Sequence, residues 1–170
     1  MSIPVSNPVP HSAGPQWLST EQRRAWLALL STLATLPREF DAPLQRAAQL
    51  TLFDYNVLAM LSEQSDGRLP MSELASRTAA SLSRLSHVVR KLEGRGLLSR
   101  SAHPADGRVT TAELSVFGRQ LVEQLAPEHV EQVQRLIFQR LDATEVEQLD
   151  QILRKLLSGI DQNQWIFRAD

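Results

Sequence analysis

From Ser81 to Lys91 the chain reads S-L-S-R-L-S-H-V-V-R-K, a stretch rich in hydrogen-bond donors and positive charge that includes Ser83, Arg84, His87, Arg90 and Lys91. At about 100° per residue they fall in one arc of a helix. Leu82, Leu85, Val88, Val89 and Leu92 fall nearly opposite, as a core stripe. No acid lies among the five. A solvated helix face ordinarily mixes signs, because pairs four residues apart support it. A donor-rich face without acids suits a major groove: arginine forks onto guanine, while serine, histidine and lysine donate to bases or phosphate oxygens. Ser81 at the N-cap leaves backbone N–H groups near the same surface, a further phosphate contact. The competing reading is an ordinary solvated face.

The stretch R-S-A-H-P-A-D-G-R-V-T-T-A-E-L-S (100–115) holds little that could enter a core. Short apolar or alternating runs at Leu97–Arg100 and Thr110–Leu114 read as strands around a turn shaped by Pro104 and Gly107. A hairpin beside a recognition helix reaches the adjacent minor groove, where the narrow groove of A·T-rich DNA attracts arginine. Arg108 has that place, with Asp106 across Gly107 to orient its guanidinium. The alternative is a turn with a fortuitous exposed ion pair, which would contribute little.

The elements that must position these residues follow from caps and periodicity. Ser19 to Gln22 has a capping-box pattern, and Trp26, Leu29, Leu30, Leu33 and Leu36 follow at helical spacing. Pro37 or Pro43 is expected to break or kink this helix before it resumes through Leu44 to Leu50. Thr51 to Asp54 caps a second helix carrying Tyr55, Leu58, Met60 and Leu61. Residues 65–68 form a turn, 71–78 a short helix, and 82–96 a fourth helix closed by Gly94 and Gly96. Ser115 caps a long helix in which Pro127 predicts a kink or break, and Asp142 to Glu145 opens the last. Two helices joined by a few residues and followed by a hairpin make a helix-turn-helix with a wing. The fold class is mainly α: a winged helix-turn-helix with N- and C-terminal helices that serve dimerisation. The divisions read as a flexible tail over 1–18, an N-terminal dimerisation region over 19–50, the winged DNA-binding region over 51–115 and C-terminal dimerisation helices over 116–170.

Composition narrows the chemistry. Without cysteine there is no disulfide, thiolate catalysis or thiol-based sensing. The four histidines (His11, His87, His103, His129) include no pair at metal-ligand spacing on one helix face, so no metal or cofactor is expected. No nucleophile–base pair or glycine-rich phosphate loop points to an enzyme. No apolar stretch approaches the roughly 18 residues of a membrane span. The start lacks the basic and hydrophobic regions of a signal peptide, so the expected compartment is the cytoplasm. Net charge is −1, yet residues 68–108 carry eight Lys/Arg against three acids. A basic middle between acidic flanks is a local footprint for double-stranded DNA.

The same residues resemble the MarR family of bacterial winged-helix regulators. Residues 100–115 fit that family's R-x-x-x-P-x-D-x-R wing, followed after five residues by L-[ST]. S-L-S-R-L-S-H-V-V-R-K-L-E-G-R-G-L-L-S-R (81–100) is similar to its recognition helix and L-E-x-x-G-L exit, and M-S-E-L-A and Y-N-V-L-A-M-L-S-E sit at matching places. The similarity covers residues 19–160. It implies an obligate homodimer with interdigitating terminal helices and two winged domains on a palindromic operator. It also implies repression of a neighbouring gene, relieved by a small, often aromatic or anionic, effector. Carried onto matching positions, Ser83, Arg84, Ser86 and His87 are implied for the major groove and Arg108 with Asp106 for the wing. Arg77, Arg90 and Lys91 are implied for phosphate.

Dimerisation also has support from the residues themselves. The first and last two helices carry long apolar stripes far from the winged core, and Trp165, Ile166 and Phe167 add to them. The alternative is that these helices pack on each other within one chain. For function, the alternative is a protein-interaction module that kept the winged fold without a specific operator.

Overall fold

Helices begin where the sequence places side-chain caps. The computed structural model describes residues 17–103, 106–160 and 165–167, with the side chains of His103 and Asp106 outside that description. Its elements run α1 (Thr20–Ala48), α2 (Leu52–Ser62), β1 (Arg68–Pro70), α3 (Met71–Arg77), α4 (Leu82–Gly94), β2 (Leu98–His103), β3 (Asp106–Leu114), α5 (Val116–Leu136) and α6 (Ala143–Ile160). Short 3-10 turns occupy Phe138–Arg140 and Trp165–Phe167. Ser19 and Gln22, Thr51 and Asp54, and Asp142 and Glu145 each exchange reciprocal side-chain-to-backbone bonds at a helix start. Ser81 and Ser115 accept from the N–H groups of Arg84 and Gly118. The expected tail lies outside the described residues up to position 16.

Three expectations are corrected. Helix α1 runs unbroken through Pro37 and Pro43, and α5 through Pro127. Each proline removes one N–H donor, but the turns on both sides keep their own bonds and hold the helix. The strands are longer than expected, reaching His103 and Asp106, and a third strand, β1, follows the turn at 65–67. The sheet order is β1-β3-β2, all antiparallel, with Leu69 opposite Ala112 and Leu98 opposite Leu114. Pro70 suits β1 because that strand is an edge and ends there.

The chain divides into two compact units inside α1, between Leu36 and Pro37. In the N-terminal unit, the first turns of α1 expose Trp26, Leu27, Leu30 and Leu33. The second unit holds the core, where Leu58, Leu61, Leu74, Leu85, Val89 and Leu92 are fully buried. Leu69, Leu98 and Leu114 close that core from the sheet, and Val122 and Leu125 from α5. Helix α6 buries none of its residues and exposes Ile152, Leu153, Leu156 and Ile160. At the junction of α1, α2 and α5, the His129 ring lies between Phe40 and Tyr55, at centroid distances of 5.5 and 4.6 Å. Its Nδ1 is buried without a hydrogen-bond partner, and burial holds its pKa below the ordinary value.

Two stability predictions follow from this packing. A Cβ at Gly118 would run into the Leu97 carbonyl and lie 2.7 Å from Leu114 Cδ1. Gly118→Ala should therefore destabilise by at least about 2 kcal/mol in urea unfolding, through overpacking between backbone segments. His129 resists protonation when folded, so its contribution is complete above the unfolded pKa near 6.5 and falls as pH drops below it. His129→Phe should flatten that part of the stability–pH curve.

Candidate nucleic-acid interface

Helices α3 and α4 meet through a tight turn. The Ala80 N–H donates to Ala75 O, and Ala79 adopts φ 49° in the left-handed region. At the far end of α4 the N–H groups of Gly96 and Leu97 donate to Glu93 O and Leu92 O. Gly96, at φ 70°, supplies the left-handed residue this Schellman ending needs. The helix is thereby fixed at both ends before any long-range contact.

Its acid-free face splits into two stripes. Arg84, Lys91 and Arg95 lie within about 40° of one another around the axis and turn back onto the protein. The Arg84 guanidinium lies over the Phe53 ring at 4.1 Å from its centroid, a cation–π contact. Lys91 Nζ donates to Asp54 Oδ2 at 2.6 Å. Arg95 donates to the last carbonyls of α1, at 2.8 Å to Ala48 O and 3.3 Å to Gln49 O. Ser83, His87 and Arg90 form the other stripe and are exposed. Ser83 Oγ lies 3.1 Å from the Ser81 hydroxyl, and Ser86 is half-buried.

Asp54 is 1% exposed, and it is the residue the cap pattern did not mark as special. Burial pushes its carboxyl up, but Lys91 and the Thr51 N–H and hydroxyl outweigh that and hold it below the usual range. Lys91, expected at phosphate, is held in this structure in an ion pair with Asp54, its side chain 42% exposed.

Leu82 also departs from expectation. It is the first residue of α4 and is 54% exposed, whereas Leu85 and Val89 further along the same stripe are fully buried.

The wing is anchored at its base by Arg100. Its Nε and guanidinium NH2 donate to Glu93 Oε2 at 3.1 and 2.5 Å, and its backbone N–H to Oε1 at 3.1 Å. This pairing holds the Glu93 carboxyl below its ordinary pKa. On the outer edge Arg68 pairs with Glu113 at 2.8 Å, joining β1 to β3. Arg108 is exposed near the start of β3. The Asp106 side chain and Pro104 lie outside the described residues, and with them the expected Asp106–Arg108 pair. Arg77, at the end of α3, donates to Glu73 at 2.9 Å and lies 5.7 Å from the centroid of the Trp165 ring.

Beside the inward stripe is a cleft of about 310 Å³ lined by Pro37, Asp41, Thr51, Phe53, Asn56 and Arg84. Asp41 is fixed there by the Leu52 N–H at 2.6 Å. The cleft offers one cation, one carboxylate and an aromatic face among residues of α1, α2 and α4.

Known proteins share this fold. The sequence profile described as the MarR family matches residues 50–110. The crystal structure of Sco3205, a MarR family transcriptional regulator from Streptomyces coelicolor in complex with DNA, aligns with a TM-score of 0.82 at 33% identity, covering 87% of this chain and 92% of that one. The transcriptional repressor Rv2887 of Mycobacterium tuberculosis is 35% identical over 107 residues, 63% of this chain and 75% of that protein. Bordetella bronchiseptica BpsR, whose DNA binding is regulated by 6-hydroxynicotinic acid, aligns with a TM-score of 0.69 at 26% identity over 84% of this chain and 97% of that one.

The Asp54–Lys91 pair sets a prediction that separates support from contact. Lys91→Met should cost about 1–3 kcal/mol at neutral pH, less than a fully buried pair because the lysine is partly solvated. The depressed Asp54 carboxyl contributes above its unfolded value of 3.8 and loses that contribution as pH falls through the folded value. The gap to wild type should narrow on acidification, because the unpaired carboxyl of the variant takes up its proton first. The salt dependence of DNA affinity should stay unchanged. A slope smaller by about one would instead make Lys91 a phosphate contact.

Proposed function

The chain belongs to the MarR family of transcriptional regulators, and from that premise we propose that it acts as a homodimeric repressor on a palindromic operator, released by a small-molecule effector. The observation that carries this reading is the exposed stripe Ser83, His87 and Arg90 on the second helix of a helix-turn-helix, without an acid among them. Histidine and arginine there address base edges and phosphates, and the α4 N-terminus behind Ser81 adds backbone donors for a phosphate. Arg108 serves the adjacent minor groove, with Asp106 as its partner. Arg84 and Arg77 are secondary contacts that must first leave Phe53 or Glu73.

A second chain is called for by the apolar residues that one chain leaves exposed, Trp26 and Leu30 on α1 and Ile152, Leu156 and Ile160 on α6. No helix among the described residues is long and apolar enough to cross a membrane. The site of action is the cytoplasm, where the DNA is. The divisions at 19–50, 51–115 and 116–170 then correspond to dimerisation, DNA-reading and dimerisation regions. For release, the cleft between Asp41, Phe53 and Arg84 fits a small aromatic anion, whose carboxylate would compete for the Arg84 guanidinium. The regulation of BpsR by 6-hydroxynicotinic acid lends that ligand class support.

Fluorescence anisotropy with duplexes tiling the gene's own upstream region, near physiological salt and with excess nonspecific competitor, tests the proposal. Saturable binding of two chains to one palindromic segment is expected. Uniform weak binding would favour an interaction module instead. On that operator His87→Ala should cost about 1–3 kcal/mol and relax preference at one base pair in each half-site. Arg108→Ala should weaken binding with the dimer still folded.

A further inference from the structure

Leu82 is the one large apolar side chain of α4 that stands more than half exposed, while Leu85, Val89 and Leu92 on the same helix are completely buried. It is the first residue of the helix, directly after the Ser81 cap, and the first turn holds no acid. The hydroxyls of Ser81 and Ser83 flank it, 3.1 Å apart, and Arg84 follows. A single leucine flanked by two hydroxyls does not make the apolar centre of a protein interface, which gathers several large side chains. It does match a major groove, where donors and acceptors surround one kind of apolar group, the C5-methyl of thymine. The N-terminal residues of a recognition helix are the ones that meet base edges.

We propose that Leu82 reads a thymine methyl in each operator half-site. The inference rests on the DNA-reading role of α4 given above and adds the base it prefers at one position. Leu82 makes no hydrogen bond, so it contributes discrimination through contact with the methyl alone. Ser83, next to it in the chain, and His87, one turn further along α4, address polar edges of neighbouring pairs.

The experiment uses the full-length protein and duplexes it selects from a random-sequence pool. In the best binder each thymine is replaced in turn by 2′-deoxyuridine, which removes the methyl and leaves pairing unchanged. At one thymine per half-site, wild-type affinity should fall about fourfold, the effect of one apolar carbon returned to water. Leu82→Ala should bind the thymine duplex more weakly by a similar factor and show no further loss on deoxyuridine at that position. Leu82→Met, which keeps an apolar chain of similar reach, should retain the sensitivity. Both variants should keep the wild-type salt slope, because no phosphate contact is lost. Sequence-specific binding that ignores every thymine methyl would overturn the proposal while leaving the role of α4 intact. So would a Leu82→Ala variant that remains as methyl-sensitive as wild type. A pool that yields no preferred sequence would overturn both.

Discussion

A single buried carboxylate sets the angle at which the recognition helix is presented. Asp54 accepts the Thr51 N–H at 2.8 Å, closing the start of α2, and takes the Lys91 ammonium at 2.6 Å from α4. A carboxylate 1% exposed is costly to desolvate unless its lone pairs are filled, and here they are filled from two helices at once. The start of α2 and the last turn of α4 are thereby tied to the same oxygen, Asp54 Oδ2. Arg84 on Phe53 adds a contact two turns before Lys91, and Arg95 on the end of α1 another one turn after it. Helix α4 is braced along one side.

That bracing divides the basic face of α4. Positive charge in α4 has two tasks, and they divide by angle around the axis. Arg84, Lys91 and Arg95 orient the helix, while Ser83, His87 and Arg90 remain outside. In the wing, Arg100 pairs with Glu93 and holds the hairpin to α4, and Arg108 lies exposed near the start of β3. A count of basic residues between positions 68 and 108 merges these roles. Because Arg84 both borders the cleft and braces α4, a ligand that draws its guanidinium away would disturb the helix it supports.

Local signals were legible in the sequence. Caps at Ser19, Thr51, Ser81, Ser115 and Asp142, the Gly96 ending of α4 and the hairpin each depend on residues within a few positions of one another. What escaped depends on partners far along the chain. Strand β1 has three residues and exists through pairing with β3, where Arg68 meets Glu113. Asp54 looked like an ordinary cap residue until Lys91, 37 positions away, came to it. Leu82 fits the core stripe by angle, and only the position of the helix end relative to the core puts it outside. The prolines in α1 and α5 break neither helix, because propensity is local and the neighbouring turns hold each helix together.

The central claim is that the outward side of α4 lies in the major groove while the wing enters the minor groove beside it. Dimethyl sulfate interference on the selected operator reads both at once, since it methylates guanine N7 in the major groove and adenine N3 in the minor groove. The account predicts interference at guanine N7 in two half-sites one helical turn apart, or a multiple of it, flanked by adenine N3 positions whose effect vanishes in Arg108→Ala. Binding that tolerates methylation in both grooves would contradict it, leaving a protein that touches only the phosphate backbone.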